Sequence, residues 1–167
     1  MRVVRIPDER VAVLIGEDGS TLEEIQDLTN TDLTVDDNEV TVEGDDPLQE
    51  MTARDIVKAI GRGFAPEKAL RLLEDNAGLA VINVKDFTDT DNGQERLKGR
   101  VIGRDGEAKQ HIQKETNTEL AVYGKTVSIL GPLRGLEVAK KAVEMLLDGS
   151  SHATAYQYLD QNKAQTI

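Results

Sequence analysis

The sequence contains no cysteine and no tryptophan. Disulfide scaffolds, thiolate zinc sites and thiol nucleophiles are therefore excluded at the outset. Two histidines, His111 and His152, leave little material for a metal site or a Ser-His-Asp arrangement. No apolar run approaches the roughly eighteen residues that a membrane-spanning helix needs. The opening Met1-Arg2-Val3-Val4-Arg5-Ile6-Pro7 is too short and too soon polar to read as a signal peptide. These absences point to a cytoplasmic protein without metal or cofactor.

What is abundant is negative charge. The net charge is −11, and it is unevenly placed. Residues 1–75 hold 8 Lys and Arg against 19 Asp and Glu, whereas residues 76–167 hold 12 of each. One half is strongly acidic and the other neutral with local basic clusters. At 38% hydrophobic and 31% charged, the composition supports ordinary globular cores.

An internal duplication sets the organisation. Shifted by 87 positions, Ile15-Gly16-Glu17-Asp18-Gly19 falls on Ile102-Gly103-Arg104-Asp105-Gly106. Without a gap, Ile25-Gln26 then falls on Ile112-Gln113, Thr29-Asn30-Thr31 on Thr116-Asn117-Thr118, and Leu33, Val35, Val40 and Gly44 on Leu120, Val122, Val127 and Gly131. Each copy reads as strand, helix, Gly-x-x-Gly, helix, strand, strand, helix. Strands are expected at Arg2 to Ile6 and Gly78 to Val84, Leu33–Val35 and Leu120–Tyr123, and Val40–Val42 and Thr126–Leu130. Ser20-Thr21-Leu22-Glu23 offers a capping box, with Leu22, Ile25 and Leu28 as the apolar stripe behind it. The closing helices run from Pro47 to about Ile60, with Leu48, Met51, Ile56 and Ile60 inward, and from Pro132 to Leu147, with Leu136, Ala139, Val143 and Leu147 inward. This makes an α+β chain in which residues 1–63 form an acidic first unit, 64–76 a connecting helix, 77–149 a second unit and 150–167 a partly flexible extension. Tyr156 and Leu159 would dock one turn of that extension.

A Gly-x-x-Gly alone is a common turn, but its double occurrence after Ile and between two helices is specific. Two residues without Cβ let a nucleic-acid backbone approach, and amides at the start of the following helix face its phosphates. The strings Gly99-Arg100-Val101-Ile102-Gly103-Arg104-Asp105-Gly106 and Val122-Tyr123-Gly124-Lys125-Thr126-Val127-Ser128-Ile129-Leu130-Gly131 resemble the pre-ribosomal-RNA-processing KH proteins of archaea and eukaryotes called Partner of NOB. Arg54 to Phe64 and Pro66-Glu67-Lys68-Ala69 extend the resemblance to the first copy. It implies two tandem type I KH domains, each a three-stranded antiparallel sheet packed against three helices. It further implies a monomeric, non-enzymatic protein that binds single-stranded RNA near the 3′ end of small-subunit rRNA. The implied protein partners are the endonuclease that matures that end and a translation initiation factor subunit. The acidic Glu17-Asp18 in the first loop and the tail Asp160-Gln161-Asn162-Lys163-Ala164-Gln165 depart from the family's basic residues at those places.

The charge pattern assigns RNA binding to the second copy. Arg104 would contact phosphate, with Lys98, Arg100 and Lys109 widening the positive field. Arg96 and His111 lie in the same neighbourhood, with Glu95, Asp105 and Glu107 interleaved. Gly103, Asp105 and Gly106 complete the loop, and Val101, Ile102, Ile112 and the Leu120–Tyr123 strand are candidates for an apolar base groove. The first loop, Ile15-Gly16-Glu17-Asp18-Gly19, would bind RNA only secondarily, because two carboxylates repel phosphate and Arg10 is the only nearby cation. With five aromatic residues in the chain, exposed stacking platforms are not expected. An enzyme is disfavoured because the Gly-x-x-Gly lacks the Lys-Ser/Thr of a phosphate-binding loop. A protein-interaction adaptor with vestigial RNA binding is the alternative. The 16 Asp and 15 Glu against 10 Lys further suggest a halophilic archaeal source, where acidic surfaces keep proteins soluble.

Overall fold

A computed structural model describes residues 1–163. Ala164 and Gln165 of the tail noted above lie outside the described residues. The chain divides into two units, Met1–Glu74 and Asp75–Ile167.

In the first unit, β1 (Arg2–Arg5) leads to α1 (Asp8–Ile15) and α2 (Ser20–Thr29). The hairpin β2 (Asp32–Asp36) and β3 (Glu39–Glu43) follows, and α3 (Pro47–Gly61) closes the unit. The antiparallel sheet has the order β1-β3-β2. Its register sets Val4 against Val40 and Leu33 against Val42, and all four are buried beneath the helices. Alternation of apolar and polar residues along β3 puts Val40 and Val42 inward and the acidic Glu39 and Glu43 towards water. A four-residue helical turn, α4 (Pro66–Ala69), and a 3-10 turn over Leu70–Leu73 come next.

The second unit repeats the order with β4 (Ala77–Asn83), α5 (Asp91–Ile102), α6 (Glu107–Thr116), β5 (Glu119–Tyr123), β6 (Thr126–Pro132) and α7 (Leu133–Leu147). Its sheet runs β4-β6-β5, again antiparallel. Both units thus have the α+β architecture of three strands and three helices expected from the sequence. The repeated Thr-Asn-Thr has a structural role in each. Asn30 and Asn117 turn the chain in the left-handed region after α2 and α6. The flanking threonines are buried and bonded to each other, Thr29 to Thr31 at 2.7 Å and Thr116 to Thr118 at 2.8 Å.

Four local expectations are corrected. The capping box at Ser20 does not form: Gly19, at φ 78°, occupies the cap and Ser20 is already helical, without a side-chain cap. Leu28 is exposed; Ile25 and Thr29 take the buried stripe of α2. On α3 the inward residues are Ala53, Ile56, Val57 and Ile60, a stripe of three- and four-residue steps. Leu48 and Met51 fall off it, at 71% and 39% exposure. Finally, the segment read as an extension with one docked turn forms α8 (His152–Gln161), capped by Ser151 and anchored in the second unit's core through Ala155 and Leu159. Its four-residue apolar spacing is hidden between polar neighbours.

Candidate nucleic-acid interface

The loop of the second unit is shaped by backbone sterics. Gly103, at φ 76°, ends α5, and Arg104–Gly106 makes a 3-10 turn in which Asp105 lies in the left-handed region at φ 55°. Gly106, at φ 77°, then opens α6. A Cβ on Gly103 would stand 2.7 Å from both the amide nitrogen and the Cβ of Ala108, so α6 can begin here only beneath a glycine. A Cβ on Gly106 would meet nothing nearer than Gln110 Nε2 at 3.9 Å. That side is open, and Arg104 and Asp105 are exposed on it.

Beside the loop lies a cleft of about 300 Å³ lined by Ile102, Gly106, Lys109, Gln110, Gln113 and Val122. It joins loop, helix face and strand. Ile102 and Val122 supply apolar walls, Lys109 a cation, and the two glutamines hydrogen-bonding amides. Gln113 is fixed because its Oε1 accepts the Leu120 N–H at 2.8 Å, so the residue ties α6 to β5 along the cleft floor. Arg104 is exposed at the lip, with no ion pair among the described residues.

Several expected site residues are elsewhere. Val101 and Ile112 are completely buried in the core and cannot touch a base. Leu97 and Val101, and likewise Ala108, Ile112 and Thr116, follow four-residue steps along the inward face of α5 and α6. Arg100 turns inward: its guanidinium donates to the carbonyl of Leu146 at 3.0 Å and to that of Ser150. His152 bonds the Arg100 carbonyl in turn, at 2.8 Å. Arg100 therefore caps the C-terminal carbonyls of α7 and holds the start of α8. Lys98 is tied to Glu95 at 2.6 Å and donates to the Gly124 carbonyl at 2.9 Å, which places it near the β5–β6 turn. His111 packs its ring on Tyr156 at 4.2 Å, on the other side of α6 from the cleft. The residues that the sequence reading missed are Gln110 and Gln113. The pairing of Gln26 with Gln113 in the repeat was the available signal for the second.

The first loop has nearly the same backbone. Gly16, Asp18 and Gly19 lie at φ 75°, 55° and 78°, matching 76°, 55° and 77° in the second loop. The difference is chemical. Glu17 and Asp18 are exposed, and Arg10 donates to the carbonyls of Ile60 at 2.8 Å and Phe64 at 2.9 Å, securing the end of α3. Those bonds hold the Arg10 guanidinium at the end of α3.

A strand-helix-turn-helix-strand-strand-helix unit with an exposed glycine loop between its first two helices, present twice, defines a tandem KH-domain protein. Residues 78–164 match the family described as eukaryotic type KH-domain (KH-domain type I), and residues 1–59 match the KH domain. The chain is 44% identical to the KH domain-containing protein MJ0443 of Methanocaldococcus jannaschii over 98% of its own length and 74% of that protein's. It is 33% identical to the pre-rRNA-processing protein pno1 of Aspergillus fumigatus, over 61% of its length and 42% of the relative's. Among solved structures, Dim2p from Pyrococcus horikoshii superposes with a TM-score of 0.89 at 44% identity, covering 96% of this chain and 98% of that one. A complex described as a/eIF2alpha-aDim2p-rRNA from the same organism gives 0.89 at 44% identity, covering 98% and 93%. The chain belongs to the KH-domain pre-rRNA-processing family.

Proposed function

We propose that the chain binds single-stranded ribosomal RNA in pre-rRNA processing, with the strand laid across the Gly103–Gly106 loop and its bases in the adjoining cleft. Arg104 contacts phosphate, the amides opening α6 face the backbone, and Ile102, Val122, Gln110 and Gln113 line the base side. Lys109 adds positive charge from within the cleft. The single observation that carries this reading is the continuity of an open glycine loop with a cleft that offers both apolar walls and amide groups. The rRNA in the complex of the similar Pyrococcus protein supports it. The initiation factor in that complex supports an initiation factor subunit as a partner, and the sequence resemblance to the processing family further implies the 3′ region of small-subunit rRNA as the target and the endonuclease acting there as a second partner. The chain works as a monomer without catalysis of its own, in the cytoplasm. Its acidic surface suits a salt-rich interior, where charge repulsion is confined to about 3 Å at molar ionic strength.

Fluorescence anisotropy with a labelled oligonucleotide from that 3′ end tests the site. Arg104→Asp should weaken binding by about tenfold or more in dilute salt, from loss of one phosphate contact and gain of one repulsion. Unchanged affinity would overturn the assignment.

A further inference from the structure

The closing helices of the two units match residue for residue. Laid on α7, α3 sets Ala53, Ile56, Val57 and Ile60 on Ala139, Ala142, Val143 and Leu146, all completely buried. The match continues past both helices. Arg10 holds the carbonyls of Ile60 and Phe64, and Arg100 holds the corresponding carbonyls of Leu146 and Ser150. Next, α4 starts at Pro66 where α8 starts at His152, and the buried Ala69 takes the place of the buried Ala155. Beyond this point the units differ. α8 continues to Gln161 and packs on α6 and α7, whereas the first unit's chain tightens into the Leu70–Leu73 turn.

The later turns of α8 therefore cover a face that stays bare in the first unit. Val138 of α7 is buried in one cluster with Ala155 and Leu159, and Lys163 pairs with Glu115 of α6 at 3.2 Å. Burial, and next the Glu137 carboxylate, hold the Tyr158 hydroxyl above its usual pKa, which sets Glu137 of α7 beside α8. In the places of Val138, Glu115 and Glu137 the first unit has Thr52, Leu28 and Met51. Thr52 is half-buried, Leu28 is 51% exposed and Met51 is 39% exposed. Asn30 donates to Gln49 at 3.4 Å, which brings the end of α2, with Leu28, to the start of α3. Apolar side chains thus stand uncovered where α8 meets carboxylates in the second unit. Their surroundings are acidic. Glu24, Asp27 and Asp46 are exposed, residues 20–53 contain no Lys or Arg, and Arg54, the first cation along α3, is paired with Asp55 at 2.9 Å.

We propose that this face of α2 and α3 binds a basic amphipathic helix of a partner protein, with its apolar side on Leu28, Thr52 and Met51 and its Lys or Arg at the surrounding carboxylates. The second unit supplies the template: its corresponding face is covered by an amphipathic helix, α8, which buries Ala155 and Leu159 and sets Lys163 on a carboxylate. The first unit's own chain does not fill the place, because β4 begins only a few residues after Leu73. RNA is the poorer fit, since exposed carboxylates repel its phosphates. The surface is independent of the RNA site proposed for the second unit.

The test titrates the full chain in 0.1 M KCl with a fluorescein-labelled helical peptide that carries Leu at alternating three- and four-residue steps and Lys elsewhere, and with a scrambled peptide of the same composition. The ordered peptide should bind, and the scrambled one should bind about tenfold more weakly. Leu28→Asn/Met51→Gln, which keeps side-chain size at two exposed positions, should weaken the ordered peptide about tenfold. The affinity of this double variant for the rRNA oligonucleotide should match that of the unmodified chain, so failure here and failure of the RNA reading are separable. Amide shifts caused by the peptide should centre on Leu28, Gln49 and Thr52. No binding, equal binding of the two peptides, indifference to the double variant, or shifts confined to other faces would overturn the proposal. Loss of oligonucleotide affinity in the double variant, or gel filtration showing a dimer that the double variant dissolves, would overturn the partner helix in favour of RNA or of a second copy of the chain.

Discussion

Restoring a cation to the first loop should convert it into an RNA-binding loop. The backbone angles at Gly16, Asp18 and Gly19 lie within a few degrees of those at Gly103, Asp105 and Gly106, so Glu17→Arg reproduces the second loop's Gly-Arg-Asp-Gly without altering its shape. A unit charge about 4 Å from a phosphate is worth about 1 kcal/mol in a water-like dielectric. Replacing repulsion by attraction therefore gains about 2 kcal/mol, roughly thirtyfold in affinity. The experiment is best done on the Arg104→Asp background, so that binding reports on the first loop alone. Anisotropy of a labelled single-stranded oligonucleotide, measured from 50 mM to 1 M KCl, should show that gain at low salt. It should shrink to a few-fold at 1 M, where the screening length is about 3 Å. Absence of any gain at low salt would mean that the groove beside the first loop is itself unfit for RNA, refuting electrostatics as the difference between the units.

Two further outcomes follow from side chains and glycines whose places are now known. Arg100→Met should lower stability by about 1–3 kcal/mol by stranding the Leu146 and Ser150 carbonyls, seen as a lower Tm, while leaving RNA affinity unchanged well below that Tm. Gly103→Ala should destabilise the fold through its clash with Ala108, whereas Gly106→Ala should cost only about 1–2 kcal/mol for its left-handed backbone. Because its added methyl points into open space on the proposed RNA side, Gly106→Ala should lose RNA binding out of proportion to stability, read by anisotropy and thermal unfolding together.

The duplication made the fold legible. Two copies of one pattern locate the three strands and three helices of each repeat to within a residue or two, because glycine stops and β-branched runs are local signals, whereas the unrepeated α8 was missed. The site was only half legible. Periodicity along α5 and α6 already separates Val101 and Ile112, which share a face with Leu97 and Ala108, from Ile102, Lys109, Gln110 and Gln113. Choosing residues by type hides that separation. Arg100 was beyond local reading: its role depends on α5 lying against the end of α7, and nothing in the neighbouring sequence distinguishes a capping arginine from a phosphate-binding one.

The central claim is a location, the Gly103–Gly106 loop and its adjoining cleft. The most direct measurement is amide chemical-shift mapping of the full chain titrated with a short single-stranded oligonucleotide from the 3′ end of small-subunit rRNA. The account predicts the largest shifts at Gly103, Arg104, Gly106, Gln110 and Val122, with Gly16 to Gly19 little moved. Shifts concentrated on the first loop or on the sheet edges, with Gly103–Gly106 unmoved, would contradict it.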